Sequence, residues 1–120
     1  MKKLTLYQYP KCSSCRSAVK FLEEKGVEYA NNNIAEAAPN KTLLRKMLSA
    51  QGGQLKKLFN TSGQLYREMN MKEKLPQMSE AEALELLSQH GMLVKRPFLL
   101  GENVGLLGFK EETWGEALWK

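Results

Sequence analysis

The chain has 120 residues, 42% of them hydrophobic, which allows one domain with a real core over residues 1–120 and excludes two. Eighteen basic residues against thirteen acidic give a formal charge of +5, but Lys and Arg are interleaved with Glu and carry no aromatic stacking partners, a pattern that argues for a solvated surface and against direct nucleic-acid binding. No apolar run reaches membrane-spanning length, and Tyr7, Gln8, Pro10 and Lys11 interrupt the stretch that a signal peptide would need after Met1-Lys2-Lys3, so a cytoplasmic protein with no membrane partner is expected.

Leu4 to Tyr9 alternates as a strand, with Leu4, Leu6 and Gln8 on one face, and should lie centrally in a sheet. Pro10-Lys11-Cys12-Ser13-Ser14-Cys15-Arg16 forms the turn that follows, and Ser17 to Lys25 reads as an amphipathic helix. Cys15, Ala18, Val19 and Leu22 share its stripe, Phe21 lies beside them, and Gly26 suits a left-handed stop. Val27 to Asn31 reads as a second strand. Short connections make these elements a βαβ unit, whose strands run parallel.

Residues 34–91 carry helical patterning throughout, broken into pieces, and are expected to form a helical insertion. Asn40 after Pro39 is a candidate cap for a helix burying Leu43, Leu44, Met47 and Leu48, and Gly52-Gly53 ends it. Leu55, Leu58 and Phe59 suggest a further short turn, Asn60 to Gly63 breaks it, and Leu65, Tyr66 and Met69 resume. Ser79 and Glu82 match a capping box for a helix with Ala83, Leu84, Leu86 and Leu87 inside and His90-Gly91 at its end. Pro97 to Leu100 and Val104 to Phe109 then read as a hairpin around Gly101-Glu102-Asn103. A last helix, Glu111 to Trp119, turns Trp114, Leu118 and Trp119 to the sheet. The order predicts an α/β fold with a mixed four-stranded sheet: β-α-β, helical insertion, β-β-α.

Both cysteines of the chain lie in the turn after the first strand. The first N–H groups of a helix lack backbone partners, and with the positive end of the helix dipole they favour a thiolate at Cys12, making it a nucleophile near neutral pH. Cys15 is one helical turn further on, within reach of a mixed disulfide formed at Cys12. A structural zinc would require four ligands, and beyond this pair the chain offers only His90, which reads better as a helix-end cap than as a general base. A purely structural disulfide closing so short a loop would remove little entropy from the unfolded chain. The six methionines and two tryptophans form no cofactor pattern.

The element order, with CxxC after the first strand and a basic residue plus proline before the hairpin, resembles the thioredoxin fold. More narrowly, Tyr9 to Arg16, Asn33-Ile34, Lys95-Arg96-Pro97 and Leu107 to Glu112 resemble the arsenate reductase and Spx family along nearly the whole chain. The CxxC pair and Phe59 to Gly63 look most like its arsenate-reductase-like subgroup. The resemblance implies that Cys12 is the nucleophile, that Cys15 resolves, and that Arg16 helps to hold an oxyanion or the thiolate. It further implies that Pro97 is a cis-proline against the redox motif and that Arg96 points at the same site. A guanidinium fork there suits a tetrahedral oxyanion or a carboxylate.

Arsenate reductases of this type hold their anion with three arginines. Here only Arg96 is matched, with Gly63, Gln64 and Gly108-Phe109-Lys110 near the other two places and Lys57, Arg67 or Lys110 as substitute cations. The implied function is a thiol-disulfide oxidoreductase acting on a disulfide or a small oxyanion such as arsenate. It would hold no bound cofactor, with glutathione, glutaredoxin or thioredoxin as external reductant and redox partner protein. The alternative is a Spx-like redox-sensing regulator docking on the RNA polymerase alpha subunit, with Gly52-Gly53 near the contact.

Overall fold

The computed structural model describes residues 4–119, the side chain of residue 119 excepted; the expectations for Met1-Lys2-Lys3 and for the packing of Trp119 lie outside the described residues. Four strands, β1 (Leu4–Gln8), β2 (Tyr29–Asn33), β3 (Phe98–Leu100) and β4 (Gly105–Leu107), form one sheet in the order β2-β1-β3-β4. β1 is parallel to β2 and antiparallel to β3, and β3 is antiparallel to β4. The sheet is therefore mixed and β1 is central, as the alternation of β1 requires: Leu4, Leu6 and Gln8 are buried and Thr5 and Tyr7 half-buried. This is the α/β thioredoxin-like architecture.

The helices divide between the two faces. On one, α1 (Ser13–Glu24) and α6 (Glu111–Trp119) enclose Leu4, Leu6, Ala18, Phe21, Leu22, Leu99 and Trp114. The other is covered by α2 (Lys41–Ala50), α3 (Gln64–Glu68), α4 (Met71–Lys74) and α5 (Glu80–Gln89), with short 3-10 turns at Leu55–Leu58, Leu75–Gln77 and Gly91–Leu93. That core includes Leu44, Met47, Phe59, Leu84, Leu87 and Phe98. β3, buried at all three residues, separates the two clusters.

Local chemistry sets the boundaries. Asn40 accepts from the Leu43 N–H at 2.9 Å and starts α2, and Ser79 with Glu82 closes a reciprocal capping box at α5. Gly26, at φ +65, ends the turn after α1. The second strand lies two residues later than Val27 to Asn31, because the Val27 N–H still donates to the Leu22 carbonyl at 3.1 Å. Pairing begins only at Tyr29, opposite Leu4. The polar run of β2 is tied down by side chains: Gln8 Nε2 donates to Asn31 Oδ1 at 2.9 Å. Residues 34–40 are not helical, since the Asn33 carbonyl takes the Glu36 and Ala37 N–H groups in a tight turn. Two further expectations shorten: α3 breaks at Asn70, which takes φ 55, and β4 ends at Leu107 because Gly108 turns at φ +71.

Candidate active site

The parallel direction of β1 and the antiparallel directions of β3 and β4 bring three chain reversals to one end of the sheet. Tyr7 pairs with Phe98, and Phe98 with Leu107, so Cys12 follows the end of β1, Pro97 precedes β3 and Gly108 follows β4, side by side. The Cys12 N–H donates to the Tyr9 carbonyl at 3.0 Å, which folds Tyr9 to Cys12 into a tight reversal. Cys12 itself, extended at φ −92 and ψ 123, is the N-cap of α1. The helix thus begins at Ser13, four residues earlier than the expected start at Ser17, and of its first turn only Cys15 is buried while Ser13, Ser14 and Arg16 are exposed.

Both thiols are unbridged, Cys12 half-buried and Cys15 fully buried. Burial alone pushes the Cys12 thiol up. The Cys15 thiol, the Cys15 backbone N–H and the Arg96 guanidinium together outweigh that and hold it below the ordinary value of 9.0. The expectation that several first-turn amides stabilise Cys12 is narrowed: the side chain closes no cap hydrogen bond, and the third amide of the helix acts with a neighbouring thiol and a guanidinium. Burial, with the Cys12 sulfur beside it, pushes Cys15 up to about 12 against opposing pulls from the Tyr9 backbone and Arg96. The pair is strongly asymmetric: one sulfur ionises readily and the other holds its proton.

Arg96 is aimed at Cys12 by its surroundings. Its guanidinium carbon lies 5.0 Å from the centre of the Tyr9 ring, Nη1 approaches Met92 Sδ at 4.0 Å, and Nε is buried with no hydrogen-bond partner. No carboxylate neutralises it among the described residues, so its charge remains available to a thiolate or a bound anion. The Arg96–Pro97 peptide is cis, and the Pro97 carbonyl accepts from the Gly108 N–H at 3.0 Å, tying two of the three reversals together. Arg16 behaves differently. It is exposed, and its Nη1 donates to the Pro10 carbonyl at 3.1 Å, bracing the cysteine turn.

Of the substitute cations, Arg67 is spent on the Ser62 carbonyl at 2.8 Å, closing the turn before α3, and Lys110 is exposed at the entry to α6. Lys57 lines a cavity with Lys95 rather than meeting Cys12. His90 is the C-cap residue of α5, remote in sequence and role from the thiols. Tyr9 and Met92, which position Arg96, were missed from sequence. Adjacency of Tyr9 to the motif was a usable signal, whereas Met92 arrives through the 3-10 turn Gly91–Leu93 and gave none. No group of three or more His, Cys, Asp or Glu suited to a metal occurs among the described residues.

A mixed four-stranded sheet of this order, with a CxxC pair opening the first helix, defines a thioredoxin-like fold. The chain belongs to the ArsC family, whose model matches residues 7–117. An uncharacterized protein of Bacillus subtilis, YusI, is 51% identical over 113 residues, 94% of this chain and 96% of the relative. The global transcriptional regulator Spx of Enterococcus faecalis is 28% identical over 109 residues, 91% of this chain and 81% of the relative. Among solved structures, a putative ArsC family related protein from Bacteroides fragilis superposes with a TM-score of 0.88 at 41% identity, covering 95% of this chain and 96% of that one. A possible arsenate reductase from Streptococcus mutans gives 0.82 at 44% identity, covering 89% and 91%.

Proposed function

We propose that this ArsC-family protein is a cytoplasmic thiol-disulfide oxidoreductase in which Cys12 attacks and Cys15 resolves. The observation that carries the reading is the placement of the two thiols, Cys12 half-buried as the N-cap of α1 and Cys15 fully buried one turn on, surroundings that hold Cys12 below the ordinary cysteine value and push Cys15 up to about 12. The Cys12 thiolate attacks one sulfur of a substrate disulfide, the S–S bond breaks, and the departing thiolate takes a proton from water. Cys15, losing its proton as it attacks, displaces the substrate's remaining thiol and forms the Cys12–Cys15 disulfide. The substrate gains two electrons and the pair loses them; a glutathione pool, or a glutaredoxin or thioredoxin dithiol, restores it. Arg96 stabilises the attacking thiolate and Pro97 shapes the surface beside it, while Arg16 acts one step back by bracing the turn.

For an oxyanion substrate such as arsenate, Arg96 supplies one guanidinium fork where arginine-rich sites supply several, so disulfide exchange is the better supported reaction. Trapping tests it. A Cys15→Ser variant is expected to accumulate mixed disulfides that a Cys12→Ser variant does not. Equal capture by both would overturn the assignment.

A second reading, a Spx-like regulator docking on the polymerase alpha subunit with the thiol pair as its switch, draws on the likeness to Spx and on Gly52 and Gly53, both at positive φ after α2. Two such glycines also serve simply to end a helix. Retention of the purified alpha subunit on the immobilised protein supports it, and no retention in either redox state removes it.

A further inference from the structure

A cavity of about 450 Å³ opens beside the site, lined by Lys56, Lys57, Lys95, Gln54, Thr61 and Leu107 among others. Its volume falls in the range of a ligand-sized cleft, roughly 300–1,000 Å³. None of its three ammonium groups makes an ion pair or a side-chain hydrogen bond among the described residues. No acidic residue lines it, so its wall carries three lysines without an opposite charge, beside the amides of Gln51 and Gln54 and the Thr61 hydroxyl. A concave surface with one sign of charge concentrates the opposite sign.

The cavity is joined to the redox centre by the backbone. Lys95 and Arg96 are consecutive: the Arg96 charge acts on the Cys12 thiol, and Lys95 lines the cavity, its N–H fixed on the Leu58 carbonyl at 2.8 Å. Across the sheet end the order is β1 with Cys12, β3 with Pro97, then β4 with Leu107. Two strand spacings separate the first from the last, about 10 Å, and an extended segment covers that in about three residues. A chain whose sulfur meets Cys12 and which crosses Pro97 would lay a side chain about three positions from its cysteine into the lysine cavity.

We propose that the protein selects disulfide substrates in which the attacked cysteine is followed or preceded, about three residues away, by acidic side chains that Lys56, Lys57 and Lys95 receive. This rests on the thiol-exchange reading above. The reaction is the same exchange, with electrons passing from Cys12 and Cys15 to the peptide disulfide; one turnover needs no other reductant. The lysines take no part in bond making and act only on the encounter and hold of the acidic segment.

The test uses the reduced full chain in single turnover with three symmetric peptide disulfides, alike except for Asp, Asn or Lys three positions on either side of the cysteine. At low salt the Asp peptide is expected to react at least about tenfold faster than the Asn peptide, and the Lys peptide slowest. Replacing all three lysines, K56Q with K57Q and K95Q, is expected to bring the Asp-to-Asn ratio towards one, and K57Q alone to lower it part of the way, so a folding defect in the triple variant leaves the single one to decide. Equal rates for Asp and Asn peptides, or a ratio that survives the triple replacement, overturn this inference alone. Failure of every peptide to react overturns the thiol-exchange reading and this inference with it.

Discussion

The two thiols differ in what their surroundings let them do. Cys12, half-buried and answered by Arg96 and Cys15, should be labelled selectively by iodoacetamide at pH 7, with Cys15 modified only once the chain unfolds. Arg96→Gln should move the inflection of the Cys12 alkylation profile to higher pH; an unmoved inflection would mean that the guanidinium does not act on the sulfur. Cys15 gives a second, thermodynamic readout. Its folded pKa lies above its unfolded one, so above pH 9 the unfolded chain releases a proton that the fold retains, and stability falls until about pH 12. The slope is at most about 1.4 kcal/mol per pH unit. Cys12 works in the opposite sense: its contribution is complete above pH 9 and is lost as pH falls through its depressed folded value. Tyr29, pushed up to about 12 by burial and by Glu23, adds an alkaline loss of its own from pH 10. Urea midpoints of the reduced protein from pH 8 to 11 should therefore fall less steeply for Cys15→Ala than for the native chain. Much of the placement of this site was legible as sequence, since a CxxC pair after an alternating strand sets Cys12 at the start of α1 and Cys15 one turn further on by local geometry. Arg96 was legible only through resemblance, because a contact between residues 12 and 96 depends on how β3 is threaded beside β1. The division of labour among arginines was not legible, as Arg16 turning back to the Pro10 carbonyl has no signature in residue order.

At the level of elements, close approaches and caps decide where segments stop. The Gly91–Leu93 turn passes so near the end of β2 that a Cβ on Gly91 would overlap the Ile34 carbonyl oxygen, which is backbone and has little room to yield. Gly91→Ala should cost about 1–3 kcal/mol through overpacking and backbone displacement. Gly115, inside α6, has nothing within 4 Å of the same added atom. Gly115→Ala should instead stabilise by roughly 0.5–1 kcal/mol from helix propensity. Urea unfolding of the two variants checks both signs, and a neutral Gly91→Ala would contradict the packing described. Ser79→Ala, which removes one arm of the capping box of α5, should cost about 1 kcal/mol in the same measurement. These caps were readable because Asn40 and Ser79 act on amides three residues away, and the last helix, Glu111–Trp119, has the bounds its sequence suggests. Segments held by distant partners were not readable. β2 carries three consecutive asparagines and pairs as a strand with their side chains partnered: Asn31 accepts from Gln8, Asn32 donates to the Leu6 carbonyl and Asn33 accepts from the Ala35 N–H. Residues 34–40 carry helical composition, yet the Ile34 N–H goes to the Gln8 carbonyl and the Ala35, Glu36 and Ala37 N–H groups go to the side chain and carbonyl of Asn33.

At the scale of the whole molecule, charge and architecture meet at one end of the sheet. The formal charge of +5 is modest for 120 residues. Even so, Arg96 and the Lys56, Lys57 and Lys95 cavity stand at the edge where the strands carrying Cys12, Pro97 and Leu107 reverse, and no acidic residue lines that cavity. An anion approaching Cys12 should therefore be drawn in by this positive charge, whereas an uncharged reagent gains nothing from it. The two cases separate experimentally with aryl disulfides of similar reactivity, the dianionic dithionitrobenzoate and the uncharged dithiodipyridine, each mixed with the reduced protein in stopped flow. Raising ionic strength from about 10 mM to about 1 M shortens the Debye length from roughly 30 Å to roughly 3 Å, which removes long-range steering and leaves contact chemistry. The rate with the dianion should fall by about threefold to tenfold relative to the rate with the neutral reagent over that range. The neutral rate normalises for any change in the thiol itself, since salt acts on the thiolate fraction equally in both reactions. A ratio that stays flat would place the charges too far from the path to Cys12 to guide anything towards it, and would leave the asymmetry of the two thiols as the whole source of reactivity.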